Sequence, residues 1–311
     1  MKSPQISIIT ATYNSSHLLK HAIQSVLNSD FQDWELLVVG DCCTDDTEEV
    51  VKSFLDPRIQ YFNLEKNSGQ QATPNNFGLG KAKGEFIAFL NQDDLFLPDH
   101  MRKCLEEIKE SGAEFLVIPG IRIKGKFLNE NKYHDDQIVT CSIQIPNLFS
   151  PKVFCVASTW FFKKSLMEKL GDWKIEKDLH VTPSQEWIFR AFLLNTKFYY
   201  PKRFGVLILL SGERHNSYLK KESPEHHFFS RHLNDPIFMK DIFEKAAINS
   251  QLNFQSHLYF LWKPFLRWFL YLPIEWMLIK LKIHPNAFRY RLAWKKKGGL
   301  IQKIRKFNGL N

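Results

Sequence analysis

Ile6-Ser7-Ile8-Ile9-Thr10, running on into Ala11-Thr12-Tyr13-Asn14-Ser15-Ser16, is a short β-branched run that ends in polar residues. Behind it Leu18, Leu19, Ala22, Ile23, Val26 and Leu27 recur at helical spacing, with Asn14, Ser15 and Ser16 as capping candidates. The pattern then repeats. Leu36 to Val39 reads as a second buried strand, and Thr44 or Asp45 could cap a helix carrying Val50, Val51, Phe54 and Leu55. Ile59 to Phe62 reads as a third strand, Asn75 to Lys83 as a short helix and Glu85 to Leu90 as a fourth strand. Pro98 opens a further helix, and Phe115 to Ile118 is a fifth strand. Repeated β-α units predict an α/β fold, Rossmann-like, with a mostly parallel sheet covered by helices on both faces.

Later segments are less regular. Thr182-Pro183-Ser184-Gln185 has the form of a capping box with Pro at the first helical position, which predicts a helix from Pro183 to about Leu194. Trp160-Phe161-Phe162 reads as a buried strand in preference to an acceptor cleft. Residues 213–235, polar and rich in His and Pro, are expected to be a surface loop or lid, with His226, His227 and His232 exposed and not gathered around a metal.

The chain has 311 residues, which suits one large α/β domain or a catalytic domain with an appendage. Its formal net charge of +9 suggests an anionic partner, but the charge is not evenly spread. From Ser256 to Asn311 there are 12 Lys and Arg against one acid, Glu275. A net positive charge concentrated in a tail argues against a nucleic-acid-binding fold, which would spread basic residues over a folded face. Five cysteines without CxxC spacing indicate neither a disulfide framework nor a zinc site, and a reducing cytoplasm fits them best. The N-terminus lacks the apolar core and cleavage site of a signal peptide, and no run of apolar residues is long enough to span a bilayer.

Ligands of open parallel sheets bind beyond the carboxyl ends of the strands. There the first strand delivers Thr10 to Asn14, the second Gly40 to Asp45 and the fourth Asn91-Gln92-Asp93-Asp94. Carboxylates gathered at one rim repel each other unless a cation joins them, and oxygen ligands select hard ions such as Mg²⁺ or Mn²⁺. Any one of Asp41, Asp45, Asp93 and Asp94 alone reads as a cap or turn residue. On successive strand ends they point instead to a metal-bridged diphosphate. Gly78-x-Gly80 followed by Gly84 does not have dinucleotide-binding spacing, so a nicotinamide cofactor is not expected.

These residues, together with Asn67-Ser68-Gly69, Asn76-Phe77-Gly78, Ala82-Lys83-Gly84-Glu85 and Ser184-Gln185-Glu186-Trp187, resemble the family 2 glycosyltransferases of the GT-A fold. The resemblance is continuous over roughly the first 100 residues and returns at Ser184. It implies an inverting transfer of a sugar from a nucleotide-diphosphate-sugar donor to a glycan or lipid-linked acceptor, as in bacterial surface polysaccharide or lipopolysaccharide assembly. It further implies a donor-binding set of Thr10, Thr12, Asp41, Gly69, Asn76, Asp93 and Arg214, with Mn²⁺ or Mg²⁺ held by Asp93, Asp94 and His215. Glu186 falls at the position of the catalytic base. Gly40, Cys42-Cys43 and Asn91 depart from the family pattern, which commonly has an acid, a Gly-Ser pair and an Asp there. A sugar-phosphate nucleotidyltransferase is the competing enzyme reading, weakened by the missing Gly-rich N-terminal loop. A non-catalytic membrane or nucleic-acid adaptor acting through the tail is the competing reading of another class.

Residues 1–250 are thus expected to form the transferase domain, with 1–120 as the donor half and 121–250 as the acceptor half. Residues 251–311 are expected to form an amphipathic basic helical tail. Between Tyr259 and Trp276 lie eight aromatic residues interleaved with Lys263 and Arg267, and a polybasic segment from Arg289 to Lys306 follows. Aromatic rings beside basic side chains suit the headgroup region of an anionic membrane, placing the protein in the cytoplasm against the inner membrane face. Packing against the domain or an oligomer contact is the alternative for the same residues.

Overall fold

A computed structural model describes residues 3–123, 138–142, 156–209, 215–219, 221, 223–258, 272–294 and 296–310. The expected Arg214 and the aromatic residues from Tyr259 to Tyr271 lie outside them. The elements of the first half are β1 (Ile6–Thr12), α1 (Ser16–Leu27), β2 (Trp34–Gly40), α2 (Thr47–Lys52), β3 (Ile59–Asn63), α3 (Ala72–Lys81), β4 (Phe86–Phe89), β5 (Asp94–Phe96) and α4 (His100–Ser111). Then follow β6 (Phe115–Val117), β7 (Gly120–Ile123), β8 (Ile138–Cys141), β9 (Trp160–Lys163), α5 (Leu166–Leu170), α6 (Pro183–Leu193), β10 (Phe198–Tyr199) and β11 (Val206–Leu209). The described part closes with α7 (Pro224–His232), α8 (Pro236–Leu258), α9 (Leu272–Lys280), α10 (Pro285–Trp294) and α11 (Gly299–Phe307).

The main sheet has the order β10-β6-β9-β4-β1-β2-β3, and a smaller one the order β5-β11-β7-β8. Strands β1, β2, β3 and β4 pair in parallel, whereas β9 runs antiparallel between β4 and β6. Both faces of the parallel strands are covered, which is why they read as unbroken apolar runs. Ile6, Ile8, Leu36 and Val38 pack with residues of α1 and α4 on one face. Ile9 and Leu37 pack on the other with α3, α5, α6 and the rings of Trp160, Trp173 and Trp187. The Trp160 and Trp187 rings stack with centroids 5.6 Å apart. Trp160, Phe161 and Phe162 are the buried strand β9.

The capping box at α6 forms as the sequence predicts: the Gln185 N–H donates to Thr182 Oγ1 and the Thr182 N–H donates to Gln185 Oε1. At α1 the cap differs from the expectation. Ser15 makes no side-chain cap bond, and Asp45 and Asp46 reach across from the next loop instead, accepting from the Ser16 N–H at 3.3 Å and the Ser16 hydroxyl at 2.6 Å. The His-rich segment also differs. Ser223-Pro224 begins α7, whose Phe228 and Phe229 are buried, and His226 is fully buried between this helix and the sheet rim. Only His227 of the three histidines is well exposed. Helix α8 runs through residue 250, where the composition suggests that the tail begins.

Candidate donor site

Register places the site. Thr12, the last residue of β1, pairs with Gly40 at the end of β2, and Gly40 pairs with Asn63 at the end of β3. The turns leaving these strands, with Asn91-Gln92-Asp93 beyond β4, open into a cavity of about 880 Å³ lined by Thr12, Asp41, Gly69 and Asp93. This size matches a small-molecule site.

Asp41 forms one end. Its carboxylate accepts from the Ser68 N–H and hydroxyl at 2.9 and 2.8 Å and from the Gly69 N–H at 2.9 Å. The carboxylate therefore fixes the 67–69 turn against the end of β2, and Gly69 takes φ +78° there, a conformation that favours glycine. Gly40 is a glycine for steric reasons: an added Cβ would lie 2.7 Å from both Asn63 Oδ1 and the Tyr61 hydroxyl. Asn63 spends its amide on the Cys43 backbone, accepting at 2.8 Å and donating at 2.9 Å. The acid that the resemblance leads one to expect at position 40 would find its space filled by neighbouring side chains.

The middle of the cavity is organised by Gln92. Its Oε1 accepts from the Thr12 hydroxyl at 2.8 Å and from the Tyr13 N–H at 3.0 Å, tying β1 to the acidic turn. Asp93 follows on the cavity wall, and its carbonyl oxygen lies 3.0 Å from Nε2 of the buried His226. Burial and the Asp93 charge push the Tyr218 phenol up to about 12, so its hydroxyl stays protonated.

Asp94 is turned the other way. It is 1% exposed, accepts from Asn91 Nδ2 at 2.9 Å and from the Ser158 hydroxyl at 2.5 Å, and does not line the cavity. Burial first, and then the Asp93 charge, push its carboxyl well above the usual carboxylate range. His215 also lies away from the cavity lining, edge-on to the Phe307 ring at 5.3 Å. Among the described residues no group of three His, Cys, Asp or Glu side chains is placed to hold a metal ion. Of the expected ligands, Asp93 alone lines the cavity. That oxygen donor still fits Mg²⁺ or Mn²⁺, because such ions are commonly held by one or two carboxylates together with substrate phosphates.

Three further expected residues stand outside the cavity lining. Thr10 is buried, and among the described residues its hydroxyl has no hydrogen-bond partner. Asn76 exchanges two hydrogen bonds with the Trp173 backbone, at 2.8 and 2.9 Å, and so pins α3 to the loop before α6. Glu186 sits between two cations, with Lys174 Nζ 2.9 Å from one oxygen and an Arg190 guanidinium nitrogen 2.8 Å from the other.

Sequence reasoning missed one wall of the cavity. Tyr218, Leu219 and Lys221 line it together with Arg305 and Leu310 from the basic tail. The tail is clasped there by backbone pairing: the Asn216 N–H donates to the Phe307 carbonyl at 3.0 Å and the Tyr218 N–H to the Asn308 carbonyl at 3.2 Å. No local pattern signals a contact between segments so far apart in sequence.

Comparison with known proteins agrees with this geometry. Residues 7–171, more than half of the chain, match Glycosyl transferase family 2. The chain belongs to that family. This sets aside the nucleotidyltransferase and adaptor readings as accounts of the fold. Among curated relatives, the putative teichuronic acid biosynthesis glycosyltransferase TuaG of Bacillus subtilis is 36% identical over 114 residues, covering 36% of this chain and 45% of that protein. The GalNAc(5)-diNAcBac-PP-undecaprenol beta-1,3-glucosyltransferase of Campylobacter jejuni is 34% identical over 172 residues, covering 53% of each chain. The chain thus spans about half the length of these relatives. Among solved structures, Staphylococcus aureus TarS 1–349 in complex with UDP-GlcNAc superposes with a TM-score of 0.55 at 23% identity, covering 66% of this chain and 58% of that one. The mannosyltransferase PcManGT of Pyrobaculum calidifontis, with GDP-Man and Mn²⁺, gives 0.52 at 13% identity over 96% of this chain and 89% of that one. At these identities the structures establish the shared fold.

Proposed function

We propose that this family member is an inverting glycosyltransferase that moves a sugar from a nucleotide-diphosphate donor to a glycan or lipid-linked acceptor in the assembly of a bacterial surface polysaccharide or lipopolysaccharide. The observation that carries the reading is the cavity at the carboxyl ends of β1 and β2, with Asp41 at one end and Asp93 on its wall. A relative named as a putative teichuronic acid biosynthesis glycosyltransferase and one named as a glucosyltransferase acting on an undecaprenol-linked saccharide support the setting.

In this reading the nucleoside lies over the Asp41 and Gly69 end and the diphosphate over Asp93. Asp93 would hold Mg²⁺ or Mn²⁺, which when bound stabilises the negative charge of the departing diphosphate. Gln92 keeps the β1 end and the acidic turn in register, so that nucleoside and diphosphate contacts form together. Glu186 accepts the acceptor's proton once that hydroxyl replaces Lys174 as a partner of its carboxylate. Lys174 has a 54% exposed side chain, so it can turn into solvent when the acceptor hydroxyl takes its place. Arg190 donates to both oxygens, from Nη2 to Oε2 at 2.8 Å and from Nε to Oε1 at 3.2 Å, and orients the carboxylate.

The direct test is diphosphate release from a panel of nucleotide-sugars with Mg²⁺ or Mn²⁺ and with a chelator. Turnover of one donor that stops on chelation is expected, and no turnover of any donor would refute the reading. Glu186→Gln is expected to lower kcat by roughly 10²–10⁴, the range of general base catalysis. A loss below tenfold would make Glu186 an ion-pair anchor of α6 only.

The tail reading is peripheral attachment to the inner membrane face. Ile274, Trp276, Met277 and Leu281 are exposed on and just after α9, and Phe288 and Leu292 on α10. Lys280, Lys282, Arg289 and Arg291 stand among them, with Lys280 Nζ 3.8 Å from the Trp276 ring centre. Among the described residues no helix is long and apolar enough to cross a membrane. Flotation with anionic liposomes is expected for the full chain and is expected to fall on Trp276→Ala with Leu292→Ala. Equal flotation of neutral and anionic liposomes would remove the electrostatic part of the reading.

A further inference from the structure

The donor cavity carries an imbalance that the reaction must correct. Asp41 and Asp93 bring negative charge to its wall, and a nucleoside diphosphate adds more. Asp41 is compensated by the Ser68 and Gly69 donors, but those groups face the carboxylate. Among the described residues lining the cavity, the Lys and Arg side chains are Lys221 and Arg305. His17 also lines it, but burial and the Lys221 charge lower its pKa, which favours the neutral ring.

Arg305 is the better placed of the two cations. Lys221 is exposed at the mouth, whereas Arg305 is half-buried. One guanidinium N–H donates to the Gly69 carbonyl at 2.6 Å, at the turn whose N–H groups hold Asp41. The guanidinium fills the space over Gly69 that a side chain would take, since an added Cβ there would lie 2.2 Å from Nη1. Its charge also reaches the Tyr218 phenol, which in turn senses Asp93. Arg305 therefore lines the same cavity as Asp93 while touching the turn that holds Asp41. A guanidinium presents five N–H donors in a planar fork that matches two phosphate oxygens at once.

We propose that Arg305 is a donor-binding residue whose guanidinium pairs with the diphosphate of the nucleotide-sugar. Helix α11 is then part of the active site and not only a membrane-facing tail. The inference rests on the donor reading above and deepens it by assigning a phosphate contact to the tail. The Gly69 carbonyl is one resting contact of the fork, and a bound diphosphate engages the fork through charge-assisted hydrogen bonds, which are stronger than that bond to a neutral carbonyl. The clasp between residues 216–218 and 307–308 fixes the helix that carries Arg305, so only the side chain has to turn.

The test uses the full chain in detergent-free buffer and calorimetric titration with UDP, GDP, CDP and TDP. The tightest binder is then compared with its own nucleoside monophosphate and nucleoside. For Arg305→Ala the diphosphate affinity is expected to fall about 10- to 100-fold, the range of a hydrogen bond to a charged group. Affinity for the nucleoside is expected to change less than threefold. Arg305→Lys keeps the charge but loses the fork, and is expected to fall between wild type and Arg305→Ala. Arg305→Gln, read in the same titration, keeps the assay decisive if the alanine variant does not fold. Unchanged diphosphate affinity in these variants would overturn the proposal while leaving the donor reading intact. An equal loss for nucleoside and diphosphate would also overturn it, because it would mark Arg305 as a wall residue. Failure of wild type to bind any of the four diphosphates would overturn both.

Discussion

The parallel strands and the C-terminal helices treat their apolar residues in opposite ways. In β1, β2 and β4 nearly every side chain is buried, and the rings of Trp160 and Trp187 behind them are wholly inaccessible. In α9 and α10 several large apolar side chains face outward, with Trp276 60% and Leu292 71% exposed, although Leu278 is buried. Yet α11 in the same tail sends Arg305 inward to a polar cavity. Hydrophobicity thus organises the first region, whereas charge and a short backbone clasp organise the attachment of the second.

The widest gap between the two regions is expected in stability. Trp187→Ala removes a ring stacked on Trp160 and Trp173 and should cost about 3–5 kcal/mol, read as a shift of the urea midpoint. Trp276→Ala should cost less than about 0.5 kcal/mol in the absence of membrane. Comparable losses would mean that the tail is packed as tightly as the sheet.

A slightly smaller effect separates two neighbours at the rim. Asp93→Asn is expected to lower turnover of the identified donor by about 10²–10³, the cost of losing one stabilising group at developing charge. Asp94→Asn should change it less than threefold, since Asn keeps the shape of the buried carboxyl and an oxygen that can accept from Asn91 and Ser158. The reverse order of effects would show that Asp94, and not Asp93, faces the diphosphate.

Acid should weaken both regions at once. Burial pushes His21 of α1 down to about 3, helped by nearby His226 and His227, and pushes His284 between α9 and α10 down to about 4. Both rings have depressed values in the folded state, so between an unfolded value near 6.5 and these lower values the unfolded chain binds more protons. Their stabilising effect is complete above about pH 6.5 and is lost as pH falls toward 4. Melting temperatures measured from pH 7.5 to 5 should therefore fall, and His21→Gln should flatten the fall. A steeper fall in that variant would contradict the sign.

The smallest effect concerns one backbone angle. Cys42 holds φ 64°, in the left-handed region, at a position where the family commonly has Gly. Cys42→Gly should relieve strain of about 1 kcal/mol, partly offset by the greater freedom of the unfolded chain.

These contrasts explain what could be read from the sequence. The strands from Ile6 to Phe89 were legible because burial on both faces writes an unbroken apolar run, and α6 because its capping box is local. Asp41 and Asp93 were legible because topology alone brings strand ends together. The orientation of Asp94 was not, since it depends on Ser158, a residue from a distant loop. Asn76 likewise found its partner at Trp173, and helix α7 hid behind a His-rich composition despite Pro224 at its start. The wall from Tyr218 and Arg305 was the least legible, because a basic, amphipathic tail reads the same whether it meets lipid or closes a cavity.

That wall also sets a schedule for folding. The cavity needs both Ala11 and Leu310, so a nascent chain that has completed its sheet still lacks a closed donor site. On the proposed donor reading, nucleotide-sugar can stabilise the protein by mass action only after α11 has docked. A ligand held by that wall cannot assist the early parallel pairings, which are long-range and slow to form, and those must stand on their apolar burial alone.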